Sequence, residues 1–115
     1  MNITGNDESR SGLAGKVFSL KDLVQYQDGT VASRMIVFRK TGTITVFAFD
    51  SGEGLSEHSA PFDAVVTILE GDCEVTVGGK PLRMTDGDTI IFPAGIPHAV
   101  SAVSRMKMTV TMIRE

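Results

Sequence analysis

The side chains best suited to chemistry in this chain are its two histidines, His58 and His98. A neutral imidazole offers one hydrogen-bond donor and one acceptor, titrates near neutral pH and is a common metal ligand. The single cysteine, Cys73, alternates with Val75 and Val77, which favours a buried structural thiol over a nucleophile. Because one cysteine forms no disulfide within the chain, the fold must be stabilised by its apolar core.

The composition argues against several classes of partner. A chain of 115 residues predicts one domain, and 11 Lys and Arg against 14 Asp and Glu give a net charge of −3. This charge provides no basic field for nucleic acid. No apolar run approaches the roughly 20 residues that cross a bilayer, and residues 1–10 lack the apolar stretch of a signal peptide. We therefore expect a cytoplasmic protein that binds neither nucleic acid nor membrane.

The first part of the chain differs in composition from the rest. Residues 1–16 are rich in Gly, Ser, Asn and charge, which predicts a flexible N-terminal tail ahead of a single domain at residues 17–115. Ser19 and Asp22 have the spacing of a capping box, and Leu20, Leu23 and Val24 follow at helical spacing. These residues predict a short helical turn near the N-terminus.

From residue 31 onward, short runs of alternating apolar residues are separated by turn residues. This pattern is typical of antiparallel strands. Tight hairpin turns are predicted at Thr41-Gly42 and Gly78-Gly79, since glycine adopts positive φ without steric cost. With no long helix, about eight short strands predict an all-β barrel or sandwich. The predicted strands are 31–39, 43–50, 63–69, 72–77, 80–84, 89–92, 98–103 and 107–113.

Two apolar rows are predicted to face the interior of this barrel, because alternate residues of a strand share one face. The methionine-rich row has two interpretations: core filler, or a surface that contacts a ligand. The rows are Met106, Met108, Val110 and Met112, which begin one residue before the last predicted strand, and Phe62, Ala64, Val66 and Ile68, which begin one residue before the third.

Two stretches resemble the two sequence motifs of the cupin family in spacing throughout. Their motif positions are occupied by Gly52, His58, Ala60, Ala64 and Gly71 in the first, and by Gly87, Pro93, Gly95, His98 and Ala102 in the second. The resemblance implies a small antiparallel cupin-type barrel, jelly-roll-like and similar to RmlC, that is often homodimeric. It also implies a metal held inside the barrel by three His and one Glu.

This chain departs from the cupin ligand set at two positions. Ala60 stands where the second His is usual and Ala64 where the Glu is usual, so only His58 and His98 remain. Two imidazoles are fewer than the three protein ligands of a typical catalytic zinc site. We therefore expect at most a weakly bound divalent transition metal on these two histidines. Asp63 and Glu57 are alternative ligands, although strand alternation turns both away from the cavity unless a bulge intervenes.

Three functions remain open on these residues. The first is a small-molecule-binding cupin domain with an incomplete metal site. The second is a metal-dependent enzyme, of oxygenase or isomerase type, that uses His58 and His98 with a non-standard ligand set. The third is a non-catalytic interaction module. A homodimer that pairs through residues 31–39 is predicted under all three functions. The residues expected to line the ligand pocket are His58, Ala60, Phe62, Ala64, Val66, His98, Met106 and Met108.

Overall fold

The computed structural model describes residues 12–114 of the chain. Within that range the chain forms one 3-10 turn at Leu20–Leu23, followed by strands only. The strands are β1 (Val31–Arg39), β2 (Gly42–Phe49), β3 (Gly54–His58), β4 (Ala64–Glu70), β5 (Cys73–Val77), β6 (Lys80–Met84), β7 (Thr89–Phe92), β8 (His98–Ala102) and β9 (Met106–Ile113).

The strands form two antiparallel sheets. The first sheet has the order β1-β2-β9-β4-β7 and the second the order β3-β8-β5-β6. In β4 the buried residues Ala64, Val66 and Ile68 alternate with partly exposed ones. Ile68 lies opposite Met108 of β9, so alternate residues of the two strands point to the same side of the sheet.

One apolar core lies between the two sheets. It takes residues from both sheets, and this shared core confirms the expected all-β fold. Its buried members are Phe49, Ala64, Val66, Ile68, Cys73, Val75, Met84, Phe92, Val100, Ala102, Met106 and Met108.

A second apolar cluster covers the outer face of the first sheet. There, leucines that precede β1, including Leu13 and Leu23, pack against Val46 and Ala48 of β2. Because Phe49 is buried on the inner face, β2 is covered on both sides. This cover explains why Lys107 is buried although it alternates with the inward-facing methionines of β9.

Lys107 and Tyr26 attach the segment before β1 to the barrel. The Lys107 ammonium donates to the carbonyl oxygen of Lys21 at 2.6 Å and lies 4.9 Å from the centre of the Tyr26 ring. The Tyr26 hydroxyl donates to Glu70 at 2.5 Å. Burial and the hydrogen bond to the Glu70 carboxylate raise the pKa of Tyr26 above its usual value, so the phenol stays a neutral donor.

The eight predicted strands are present, each within one residue of its expected ends, but a ninth strand, β3, was not predicted. The turn expected at Thr41-Gly42 is also wrong by one position, because Lys40 and Thr41 form it and Gly42 begins β2. The turn at Gly78-Gly79 has positive φ at both residues, as predicted.

The segment before β1 differs from its prediction in detail. Leu20–Leu23 is the expected helical turn, but no side-chain hydrogen bond caps it, since Ser19 contributes its carbonyl to the amide of Asp22 instead. The flexible tail predicted at residues 1–16 stays a prediction. Its first eleven residues lie outside the described part of the chain, and Leu13 packs against the second cluster.

Candidate functional site

The fold brings the two histidines together. His58 ends β3 and His98 begins β8, and the register of these strands places them directly opposite each other. The register shifts between Leu55 and His58, so an irregularity in β3 sets the position of His58. The two Nε2 atoms lie 3.1 Å apart, and the rings meet edge to face at a centroid distance of 4.4 Å.

A backbone carbonyl oxygen faces the Nδ1 atom of each ring. Nδ1 of His58 lies 2.8 Å from the Ser56 carbonyl oxygen, and Nδ1 of His98 lies 3.2 Å from that of Ile96. A carbonyl only accepts hydrogen bonds, so each Nδ1 must carry a hydrogen and donate it. When both Nδ1 atoms donate, the Nε2 atoms of the two neutral rings carry lone pairs that face each other, and the 3.1 Å contact between them becomes a hydrogen bond when one further proton lies between the rings.

The two histidines differ in their surroundings. His98 is 6% exposed, and its ring stacks on Phe92 at a centroid distance of 4.3 Å and an interplanar angle of 18°. Burial, followed by the neighbouring His58, lowers the pKa of His98. His58 lies exposed at the edge of the second sheet. The pair thus combines a buried imidazole with one that solvent reaches.

Two converging lone pairs suit a group that accepts them: a shared proton, a hydrogen-bond donor of a ligand, or a metal ion. Two imidazole nitrogens bound at about 2.1 Å to one ion, at angles of about 90–109°, lie about 3.0–3.4 Å apart. The observed 3.1 Å fits that range. Metal-binding histidines also commonly donate their other nitrogen to a backbone carbonyl, as both rings do here. The pair therefore fits two adjacent ligands of one ion.

The described part of the chain adds no third metal ligand to the pair. Among residues 12–114, no group of three His, Cys, Asp or Glu side chains is arranged to hold a metal. The Asp63 carboxylate instead accepts a hydrogen bond from the amide of Ala94 at 2.8 Å, which connects the two motif loops. The structure therefore does not group Asp63 or Glu57 with the two histidines, and their role as ligands stays a prediction.

The two alanines at the expected ligand positions connect to the second motif. Ala64 lies opposite Phe92, the residue that stacks on His98, and its side chain is buried on the inner face. Ala60 follows β3, and its carbonyl oxygen accepts a hydrogen bond from Gly95 at 2.7 Å. The first and second motifs are therefore in contact with each other.

Apart from the histidines and alanines described above, the residues expected to line a ligand pocket are either fully buried or partly exposed. Val66, Met106 and Met108 are fully buried. A side chain with no exposed surface borders no space that holds a water molecule, which favours the core-filler interpretation of the methionines. Phe62 is half-buried and lines a 260 Å³ surface cavity with Pro61, Asp63, Ala94 and Ile113. Contact with a ligand stays a prediction for all eight residues.

Sequence reasoning did not identify Phe92 as part of this site. Strand alternation could have placed it beside Ala64, but nothing in the sequence indicates stacking on an imidazole. Cys73 is buried as expected, and burial raises the pKa of its thiol to about 11. A thiol with this pKa stays protonated near neutral pH, which is consistent with a structural role.

No helix in the described range has the length and apolar character needed to cross a membrane.

Comparison with known proteins identifies the family. Residues 45–114 match the model of the cupin domain. A conserved protein of unknown function from Streptococcus pyogenes is 40% identical, with 88% of this chain and 89% of that chain covered and a TM-score of 0.83. A cupin 2 conserved barrel domain protein from Leptotrichia buccalis is 37% identical, with 84% of this chain covered and a TM-score of 0.82. This chain spans about half of the Leptotrichia protein, 47% of its length.

A cupin superfamily protein from Desulfitobacterium hafniense shares the fold at 24% identity, with 88% and 93% of the two chains covered and a TM-score of 0.83. No curated protein matches the chain. The family match covers more than half of the chain and includes both histidines. The chain therefore belongs to the cupin family.

Proposed function

We propose that this cupin domain binds a small molecule at the end of the barrel where His58 and His98 meet. The observation that carries the proposal is the convergence of two Nε2 atoms, 3.1 Å apart, on rings whose Nδ1 atoms face backbone carbonyls. Such a pair offers two acceptors in a fixed orientation. It would recognise a hydrogen-bond donor or a cation.

The side chains around the histidine pair indicate the chemistry of the remainder of the ligand. Ala60 and Ala64 provide methyl groups where the family has polar ligands, and Phe92 adds an aromatic ring beside His98. Ligand sites combine apolar walls with a few polar groups that fix orientation. We therefore propose a ligand with a hydroxyl or N–H group on a largely apolar body.

Amide NMR titration with a panel of small alcohols, phenols and primary amides tests this site. Probes that bind are expected to shift the amides of His58 and His98, because the two rings are the acceptors. His98→Ala should abolish those shifts, whereas Ser59→Ala, an exposed neighbour of His58, should preserve them.

A different pattern of shifts would contradict the proposal. Shifts confined to the apolar groove outside the first sheet, a 420 Å³ space lined by Leu13, Phe18 and Ile36 among others, would place binding elsewhere. Shifts that survive in His98→Ala would show that the histidine pair is not the recognition element.

The second candidate function is a metal-dependent enzyme of oxygenase or isomerase type. The separation of the Nε2 atoms supports it, because this distance suits two ligands of one ion. His58 and His98 would hold the ion, and water or substrate would provide its remaining ligands. A bound divalent transition metal would supply Lewis acidity or redox chemistry. In this alternative His98 is the buried ligand and His58 the exposed one.

Isothermal titration with Co²⁺ tests the metal candidate. His58→Ala and His98→Ala are each expected to weaken Co²⁺ binding by at least about tenfold, since each removes one of two protein ligands. Glu57→Gln, a matched change next to His58, should leave the affinity unchanged. Loss of affinity in Glu57→Gln would show a third ligand and contradict the two-histidine site. Equal affinity in all variants would place the ion elsewhere.

We also propose that the chain forms a homodimer through β1. Among the described residues this strand lies at one edge of the first sheet, and its Phe38 is 50% exposed. The Arg114 guanidinium lies 5.9 Å from the centre of the Phe38 ring. Exposed apolar side chains on an edge strand are a frequent feature of subunit interfaces.

Light scattering at micromolar concentration tests the dimer. The wild type is expected to be a dimer, and Phe38→Asp is expected to be largely monomeric because it places a charge in the apolar contact. Ile91→Asp is the matched control, since Ile91 is 56% exposed on β7 at the opposite edge of the same sheet. A monomeric wild type, or equal dissociation of the two variants, would contradict an interface at β1.

A further inference from the structure

Phe92 is the aromatic residue in contact with the histidine pair. It ends β7, opposite Ala64 of β4, and is 4% exposed. Its ring stacks on the imidazole of His98, with centroids 4.3 Å apart and planes 18° from parallel. The ring carries no polar atom, so it offers no hydrogen bond to an occupant. Besides any apolar contact with an occupant, its influence on the site acts through His98.

The orientation of His98 depends on contacts at three places. Nδ1 faces the carbonyl of Ile96 at 3.2 Å, a long hydrogen bond, and Nε2 faces His58. These contacts lie along the edge of the ring. Phe92 covers a face of the ring, and a stacked partner restricts rotation about χ2, which is otherwise broad for His.

We propose that Phe92 is a positioning residue, whose ring keeps the His98 imidazole in the plane that directs Nδ1 to Ile96 and Nε2 toward His58. This role matters for function only if the proposed function holds, because an occupant bound by both histidines needs both Nε2 atoms in place. Without the stacked ring, His98 would exchange between ring orientations, and only some of them would present Nε2 to His58.

The test compares Phe92→Leu with Phe49→Leu. Both changes replace a buried phenylalanine of the same core, but Phe49 stacks on Phe47 and Phe92 stacks on His98. Long-range ¹H–¹⁵N NMR of the imidazoles reports which nitrogen carries the hydrogen. We expect His98 to be protonated at Nδ1 in the wild type and in Phe49→Leu, and to become a mixture of tautomers in Phe92→Leu. A purely structural loss of core packing would not separate the two variants.

Zn²⁺ titration gives a second measurement. Groups that orient a metal-binding histidine typically change affinity by about 10–100-fold, so Phe92→Leu should weaken Zn²⁺ binding by at least about tenfold relative to Phe49→Leu. If Phe92→Leu does not fold, Phe92→Met replaces it, because methionine fills the same core space without a ring.

The two proposals fail in different ways. An unchanged His98 tautomer together with unchanged Zn²⁺ affinity in Phe92→Leu would overturn the positioning role while leaving the site intact. A wild type that binds no Zn²⁺ would count against the metal candidate. The imidazole spectra of Phe92→Leu and Phe49→Leu would still decide whether Phe92 positions His98.

Discussion

The double variant Ala60→His with Ala64→Glu is expected to bind Zn²⁺ at least about 100-fold more tightly than the wild type. The expectation follows from the family ligand positions, because Ala60 and Ala64 stand where the cupin motif has its second His and its Glu. Ala64 lies on the inner face of β4, opposite the residue that stacks on His98. Ala60 lies between His58 and β4 in the chain.

The size of the expected gain comes from the energetics of zinc sites. Four-ligand structural sites have binding free energies of about 10–16 kcal/mol, or about 3 kcal/mol for each ligand. Two added ligands of ideal geometry would therefore contribute about 6 kcal/mol, roughly 10⁴-fold in affinity. A lower value of about 100-fold allows for imperfect geometry and for the cost of burying the carboxylate that Ala64→Glu introduces.

Calorimetry measures the Zn²⁺ affinity of the double variant, and thermal melts measure its stability with and without the metal. Without metal, the double variant should melt at a lower temperature than the wild type, because Ala64 is buried and the new carboxylate loses its hydration. Added Zn²⁺ should raise the melting temperature again.

The control for this variant is Ala60→His with Val65→Glu. Val65 is the next residue of β4 and points to the opposite face of the sheet, where it pairs with Ile91 and Thr111. A carboxylate there cannot reach the histidines. Equal Zn²⁺ affinity in the two double variants would contradict the assignment of residue 64 to the ligand position.

Gly71→Ala is expected to lower the free energy of unfolding by about 2–5 kcal/mol, the sum of about 1–2 kcal/mol for a left-handed backbone and about 1–3 kcal/mol for overpacking. Gly71 has a φ of +91°. A methyl group there would collide with the carbonyl oxygen of Arg105 and lie 2.7 Å from the Cα of Met106. Since both obstacles are parts of the backbone, they cannot move aside cheaply.

Gly79→Ala separates the cost of positive φ from the cost of the steric collision. Gly79 also has positive φ, +80°, but a methyl group there would have no neighbour within 4 Å. Its substitution should therefore cost only about 1–2 kcal/mol, the contribution of the backbone conformation. Chemical denaturation of both variants measures the difference. Equal losses would show that Gly71 is needed for its φ alone and not for the close approach of the loop before β9.

The strands were predictable where one face is buried and the other is not. β4 shows the alternation clearly because its inner residues, such as Val66, are buried and the intervening ones are partly exposed. β3 was missed because it is an edge strand in which Leu55 is the one sizeable apolar residue and the others are exposed. An exposed edge strand has no hydrophobic alternation to detect.

On the outer face of the first sheet, the burial of Lys107 could not be predicted from the sequence. Lys107 has the alternation of a surface residue on β9, but the segment before β1 covers it. Its ammonium group is accommodated by the carbonyl of Lys21 and the ring of Tyr26. These partners lie far away in the sequence, so local periodicity contains no information about them.

The candidate site was predictable in its members but not in its geometry. The spacing of the two motifs identified His58 and His98 and the two alanines at ligand positions. The hydrogen bonds that orient the rings come from main-chain carbonyls, and every residue type has one. The contact between Phe92 and His98 depends on how the two sheets face each other. Neither the carbonyl hydrogen bonds nor the contact between Phe92 and His98 can be predicted from a single sequence.

Long-range ¹H–¹⁵N NMR of the two imidazoles, recorded before and after addition of Zn²⁺, tests the central claim most directly. The claim is that both Nε2 atoms face one shared occupant. At a pH where both rings are neutral, both should be protonated at Nδ1, and Zn²⁺ should shift both Nε2 resonances at the same stoichiometry. A hydrogen on Nε2 of either neutral ring, or a Zn²⁺-induced shift at only one histidine, would contradict the account.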